Sequence, residues 1–139
     1  MSPDPSDTLA KIPLFQGLDK KHLKRLGQSL KSRTFREGQR VTQEGETGVG
    51  FFVIVDGTAG VEVHGEARRN LGPGDHFGEI AMIAGGHRTA TITALTDLQC
   101  LGMTQWEFKP FVAENPDASW SIMQTLAQRL TEVESQIAH

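Results

Sequence analysis

The rhythm of the middle of this chain constrains its fold more than any other feature. From about Ser32 to Met103, short β-prone runs alternate with glycines. The runs are Phe51-Phe52-Val53-Ile54-Val55, Ala59-Gly60-Val61-Glu62-Val63, Thr89-Ala90-Thr91-Ile92-Thr93 and Leu98 to Met103. They read as strands. Gly38, Gly45, Gly48, Gly57, Gly65, Gly72 and Gly74 punctuate them. Asp56-Gly57, between two such runs, predicts a hairpin. Gly72-Pro73-Gly74 predicts a hard turn. Many short strands with regular glycine turns specify a small antiparallel barrel or jelly roll.

Helical text flanks this region. Residues 1–7 hold two prolines and read as a flexible arm; residues 8–138 read as one domain. A short helix and a turn end at Ile12-Pro13-Leu14-Phe15. Asp19 is placed to cap the next helix, with Leu23, Leu26 and Leu30 on one side of it. Beyond Met103, Thr104 and Glu107 form a capping box around Gln105-Trp106. Pro110 limits or kinks that helix. Asn115, with Pro116 at the first helical position, caps a last helix that runs to near Ile137.

Bulk properties exclude several function classes. At 139 residues and 37% hydrophobic, the chain has the size and core of one ordinary domain. A net charge of −3 argues against a dedicated nucleic-acid binder. Lys20, Lys21, Lys24, Arg25, Lys31 and Arg33 cluster locally, and such a run reads as a solvated helix face. Cys100 is the single cysteine, which fits a reducing compartment. No apolar run reaches membrane-spanning length, and Met1 to Asp7 is not a signal peptide. The plain reading is a soluble cytoplasmic protein.

The stretch that carries chemistry is Phe77-Gly78-Glu79-Ile80-Ala81-Met82-Ile83, then Ala84-Gly85-Gly86-His87, then Arg88-Thr89-Ala90-Thr91-Ile92. A glycine after a strand lets backbone come close to a ligand. Residues 79–83 are competent for one helical turn, whose free N–H groups suit an anion. A glycine-rich bend can fold Arg88 back over that turn, where its planar fork matches two phosphate oxygens. Glu79 offers a carboxylate able to accept from a sugar hydroxyl.

This segment resembles the phosphate-binding cassette of the cyclic-nucleotide-binding domain family, whose pattern is F-G-E-(L/I)-A-(L/M), a short variable stretch, then R-(A/T/S)-A. The spacing from Phe77 to Arg88 is similar to the kinase form without a gap. Upstream, Gly45 to Gly57 resembles the family's G-D-x-G-D-x-F-Y-x-I-x-x-G, and Ile12 to Phe15 resembles its entry helix-turn. The likeness covers roughly residues 8 to 135. It departs at Val49, which replaces an acid, at Gly86-His87, and at Ile80 and Met82, where leucines are common. None of these touches the charged contacts.

The resemblance implies a mainly β fold with flanking helices: an antiparallel jelly-roll barrel with N-terminal helices and a C-terminal hinge and lid helix. It implies a receptor for cAMP or cGMP with no catalysis and no cofactor. Glu79 would bind the ribose 2′-hydroxyl and Arg88 the phosphate. The backbone N–H groups of Ile80, Ala81 and Ala90 would complete the cradle, Gly78 would allow close approach, and Thr89 would stand beside phosphate and base. Threonine after the arginine is similar to the cGMP-dependent kinases, yet cAMP-binding channels and bacterial receptors also carry threonine or serine there; cAMP is preferred.

Other classes fit less well. A cupin-like metal enzyme needs clustered His and Glu ligands, whereas His22, His64, His76, His87 and His139 are widely spaced. His87 reads as an exposed loop residue. No Walker motif and no nucleophile with an evident base are present. No helix-turn-helix fits after the two terminal helices, so output must pass to an unseen effector. The remaining alternative is a degenerate member acting as a ligand-free protein-interaction domain. In the last helix, Met123, Leu126, Leu130, Val133 and Ile137 recur at gaps of three and four. That stripe suits packing along its own barrel, or a short homodimer seam in its second half. Trp120, Met123 and Leu126 are candidates for a lid over the base, and Trp106 for the hinge helix and core.

Overall fold

The four β-prone runs become β3, β4, β7 and β8 of eight strands among the described residues: β1 (Lys31–Phe35), β2 (Arg40–Thr42), β3 (Gly50–Asp56), β4 (Ala59–Val63), β5 (Glu66–Ala67), β6 (His76–Phe77), β7 (Thr91–Ala94) and β8 (Leu98–Thr104). The computed structural model describes residues 4–46 and 50–137. The readings placed on Gly48 and Val49, on the first three residues of the arm and on the chain's last two residues lie outside them. The strands make two antiparallel sheets, ordered β1-β8-β3-β6 and β2-β7-β4-β5. This is the expected jelly-roll-like arrangement.

The sheets arise from folded ribbons. β3 runs antiparallel to β8, from Gly50 opposite Thr104 to Asp56 opposite Gln99. β4 continues against β7, from Ala59 opposite Ala94 to Glu62 opposite Thr91. One long two-stranded ribbon therefore crosses from the first sheet to the second. Its corner is made by two bends side by side, where Thr58 N–H donates to Thr96 Oγ1 at 3.0 Å and Leu95 N–H to the Thr58 carbonyl at 2.9 Å.

This corner corrects the reading of Asp56-Gly57 as a hairpin. Both edges of β3 are taken, by β8 and β6, so β4 cannot fold back beside it. Gly57 has φ +94° and makes the corner, where a side chain would meet the Asp97 carbonyl. The β4–β5 hairpin turns instead at His64-Gly65, with Val63 opposite Glu66. Gly72-Pro73-Gly74 is a turn as expected, closed by the Asp75 N–H donating to the Gly72 carbonyl at 3.0 Å.

Helices cover the outer face of the first sheet. They are α1 (Pro5–Ala10), a 3₁₀ turn at Pro13–Phe15, α2 (Lys20–Gly27), α4 (Gln105–Glu114) and α5 (Pro116–Ile137), while α3 (Glu79–Ala84) belongs to the site. Asp4 caps α1, so helix begins within the stretch read as an arm. Asp19 caps α2 as expected, accepting from His22 N–H at 2.8 Å. The cationic side chains of α2 and β1 are exposed. Glu107 accepts from Thr104 N–H at 3.1 Å, and α4 continues past Pro110 to Glu114.

Asn115 departs from its expected role as a side-chain cap. Its amide donates to the Phe111 carbonyl at 2.7 Å and accepts from Arg25 at 3.2 Å, while its own carbonyl accepts from Ser119 N–H. The buried side chain thus ties the end of α4 to α2.

Strand alternation splits the core. Phe51, Val53 and Met103 face the helices, packing with Phe15, Leu26, Phe108 and Ile122. Ile54, Phe77, Ile92, Leu98 and Cys100 fill the space between the sheets. Burial pushes the Cys100 thiol up to about 11, so it is a core side chain and a poor nucleophile at neutral pH. Trp106 corrects another expectation: it lies on α4 but is 70% exposed rather than in the core.

Candidate functional site

The site is built outward from the turn before β6. Asp75 accepts from Gly72 N–H through its carboxylate at 2.8 Å, and its carbonyl accepts from Ile54 N–H at 2.8 Å. These bonds set His76 opposite Val53 and Phe77 opposite Phe52. Phe77 turns into the core between the sheets. Gly78 then reverses the chain at φ +92°. A Cβ there would lie 2.6 Å from Arg88 Nη1 and 2.7 Å from the Gly50 carbonyl oxygen. Both the backbone angle and the crowding therefore demand glycine.

The first residue of α3 is Glu79, one of three buried polar or charged residues among those described. His76 lies three residues earlier, and the Gly78 turn brings its Nδ1 to 3.2 Å from Glu79 Oε2. Burial alone would raise the Glu79 carboxyl, but the His76 hydrogen bond and Glu79's own backbone N–H hold it below the usual carboxylate range. Electrostatic interaction with His76 and with Arg129, on α5, acts in the same direction. Glu79 is thus an anion throughout the neutral range.

Arg88 is fixed at both ends. Its N–H donates to the Glu46 carbonyl at 2.8 Å, and its own carbonyl accepts from Gly45 N–H at 2.9 Å. At the tip, Nη2 donates to the Gly50 carbonyl at 2.6 Å. Burial lowers its pKa from the ordinary arginine value, yet the guanidinium stays charged at any physiological pH.

These groups share one cavity of about 720 Å³. Gly78, Glu79, Ile80, Ala81, Arg88, Thr89 and Ala90 all line it, so every residue predicted for the site falls on one wall or rim. Val61, Leu71 and Ile92 supply apolar surface. The volume and mixed lining suit a small organic molecule. Sequence reasoning gave His76 no role in the site, although its i, i+3 spacing from Glu79 was the available signal. It also missed Arg68 and Arg69, which follow β5 and stand at the mouth with no local motif to mark them. His87 is an exposed rim residue, as expected of a loop histidine. Among the described residues, no three His, Cys, Asp or Glu side chains gather as a metal set.

The lid candidates sit on α5, outside the cavity lining. Trp120, Met123 and Leu126 do not line the cavity, and Trp120 is 60% exposed. α5 instead buries Ala118 and Ile122 in the helical core, with Leu126 packed at its edge.

A sequence model of the cyclic nucleotide-binding domain matches residues 32–115, more than half of the chain and all of the cassette. The chain belongs to the cyclic nucleotide-binding domain family. This domain is similar to the CRP-like cAMP-activated global transcriptional regulator of Mycobacterium tuberculosis (strain ATCC 25618 / H37Rv), at 28% identity over 95% of this chain and 61% of that protein. It is similar to a cyclic nucleotide-gated potassium channel of Mesorhizobium japonicum, at 31% identity over 87% of this chain and 34% of the channel. It therefore spans less than two thirds of these relatives. Among solved structures, the N-terminal domain of a transcriptional regulator from Streptomyces coelicolor A3(2) superposes with a TM-score of 0.86 at 26% identity, covering 93% of this domain and 96% of that one. Among the described residues no helix is long and apolar enough to cross a membrane.

Proposed function

We propose that this cyclic nucleotide-binding domain is a cytoplasmic receptor for a cyclic purine nucleotide, cAMP ahead of cGMP, that does no chemistry on its ligand. The observation that carries this reading is the placement of Glu79 and Arg88, opposite in charge, in one partly apolar cavity. A cyclic phosphate carries one negative charge. The fork of Arg88, now held by a single carbonyl, has donors left for it. The Glu79 carboxylate, held ionised, is an acceptor for the ribose 2′-hydroxyl. The N–H groups of Ile80 and Ala81 lie in the first turn of α3, where helix geometry leaves them without intrahelical partners. Val61 and Leu71 offer the base an apolar wall. The names of the relatives, one cAMP-activated and one cyclic nucleotide-gated, support the ligand class.

The output passes through α5 to an effector domain or protein. The exposed second half of α5, with Leu130, Val133 and Ile137 uncovered, supports this reading as a surface for such an effector. Calorimetry with cAMP and with cGMP, on protein stripped of ligand by unfolding and refolding, tests the reading. One nucleotide per chain is expected. No heat and no thermal shift with either would overturn it in favour of a ligand-free interaction domain.

A further inference from the structure

Glu79 is the acceptor on which sugar recognition rests, and its geometry is set by another residue. The carboxylate sits on a side chain only 11% exposed, at the start of a six-residue helix. Rotation of the carboxylate about its terminal bond is soft, because that torsion has broad wells. Left to itself, the group would present either oxygen to the cavity at varying angles. His76 Nδ1 engages Oε2 at 3.2 Å, which leaves Oε1 without a side-chain partner among the described residues. Among the described residues, no other side chain hydrogen-bonds this carboxylate.

The histidine is itself rigidly mounted. Its strand is registered against Val53, and the preceding residue's carbonyl accepts from Ile54 N–H. The left-handed turn at Gly78 then fixes the distance between the two side chains. The pairing therefore follows from backbone bonds and does not depend on a ligand.

We propose that His76 is a positioning residue that pins one oxygen of Glu79, so that the other meets the 2′-hydroxyl of a cyclic ribonucleotide. The proposal rests on the cyclic-nucleotide reading above and deepens it: His76 is a determinant of ribose over 2′-deoxyribose. A histidine that merely supported the fold would affect both ligands alike. A positioning histidine affects the one with the hydroxyl.

The experiment compares the affinities of cAMP and 2′-deoxy-cAMP for wild type, His76→Leu, His76→Asn and His76→Gln, with melting curves to confirm folding. Asparagine carries an N–H donor the same number of bonds from Cβ as histidine Nδ1, whereas glutamine places it one bond further out. Wild type should prefer the ribonucleotide. In His76→Leu that preference should fall roughly tenfold, as for loss of a hydrogen bond to a charged group, with 2′-deoxy-cAMP affinity nearly unchanged. His76→Asn should restore the preference and His76→Gln should not. An unchanged ratio in a folded His76→Leu variant, or parallel loss of both affinities, would overturn the inference while leaving the cyclic-nucleotide reading standing. A wild type that binds both ligands equally would do the same. A wild type that binds neither would overturn the underlying reading as well.

Discussion

Arg88 is held in place before any ligand arrives. Its backbone bonds to Gly45 and Glu46 and its guanidinium bonds to Gly50, so little side-chain freedom remains to be lost on binding. Glycine at position 78 is the condition for this, because a Cβ there would occupy the space of Arg88 Nη1. Removing the arginine should therefore cost far more than an exposed ion pair. Arg88→Ala is expected to lose about 3–5 kcal/mol of nucleotide binding, because a ligand phosphate is left in a partly apolar cavity without its counter-charge. Titration calorimetry measures this directly, and wild-type affinity in the variant would mean that the phosphate sits elsewhere. Both charged residues were legible in the sequence, since their spacing is local. His76 is as close to Glu79 in sequence, but that the two side chains meet depends on the Gly78 turn.

At the scale of elements, the junction of α4 and α5 shows how a cap signal can be diverted. Asn-Pro at the start of a helix suits a side-chain cap, and α5 does begin at Pro116. Yet the Asn115 side chain is spent on the Phe111 carbonyl and on Arg25, because burial between α4 and α2 places those partners nearer. Asn115→Ala should destabilise the protein by about 1–3 kcal/mol, the cost of leaving a buried carbonyl without its donor. Urea unfolding of the variant against wild type measures this. A change below about 0.5 kcal/mol would show that solvent replaces the amide. The Thr104–Glu107 box and the Asp19 cap met no such competition and stand as the sequence indicates.

For the whole molecule, burial changes most along α5. Ala118 and Ile122 anchor it in the helical core, while Leu130, Val133 and Ile137 are exposed. A helix whose second half lacks packing opens readily there. A ligand can order that half only by binding the closed form better than the open one. Amide exchange over residues 126–137 should therefore be fast in the stripped protein and slow by about tenfold or more with saturating nucleotide, which corresponds to roughly 1.4 kcal/mol of added protection. Equal exchange in the two states would mean a rigid binder whose output leaves through the barrel surface. Exchange before residue 122 should change little, since those residues are already packed.

Local signals settled much of this protein. β-prone runs and glycine turns marked β3, β4, β7 and β8, the cap residues marked most helix starts, and the cassette named seven residues that line one cavity, because each follows from conformations spanning a few residues. Tertiary structure decided the rest. Asp56-Gly57 became a corner between sheets because both neighbours of β3 come from distant sequence. Trp106 and Trp120 stayed exposed because apolar character alone does not say which face of a helix meets the core. Arg68 and Arg69 reached the cavity mouth through the ribbon that carries them, and His76 reached Glu79 through a left-handed glycine. Sequence specifies what a short segment can be; which segments meet is decided by long-range pairing and the volume left to fill.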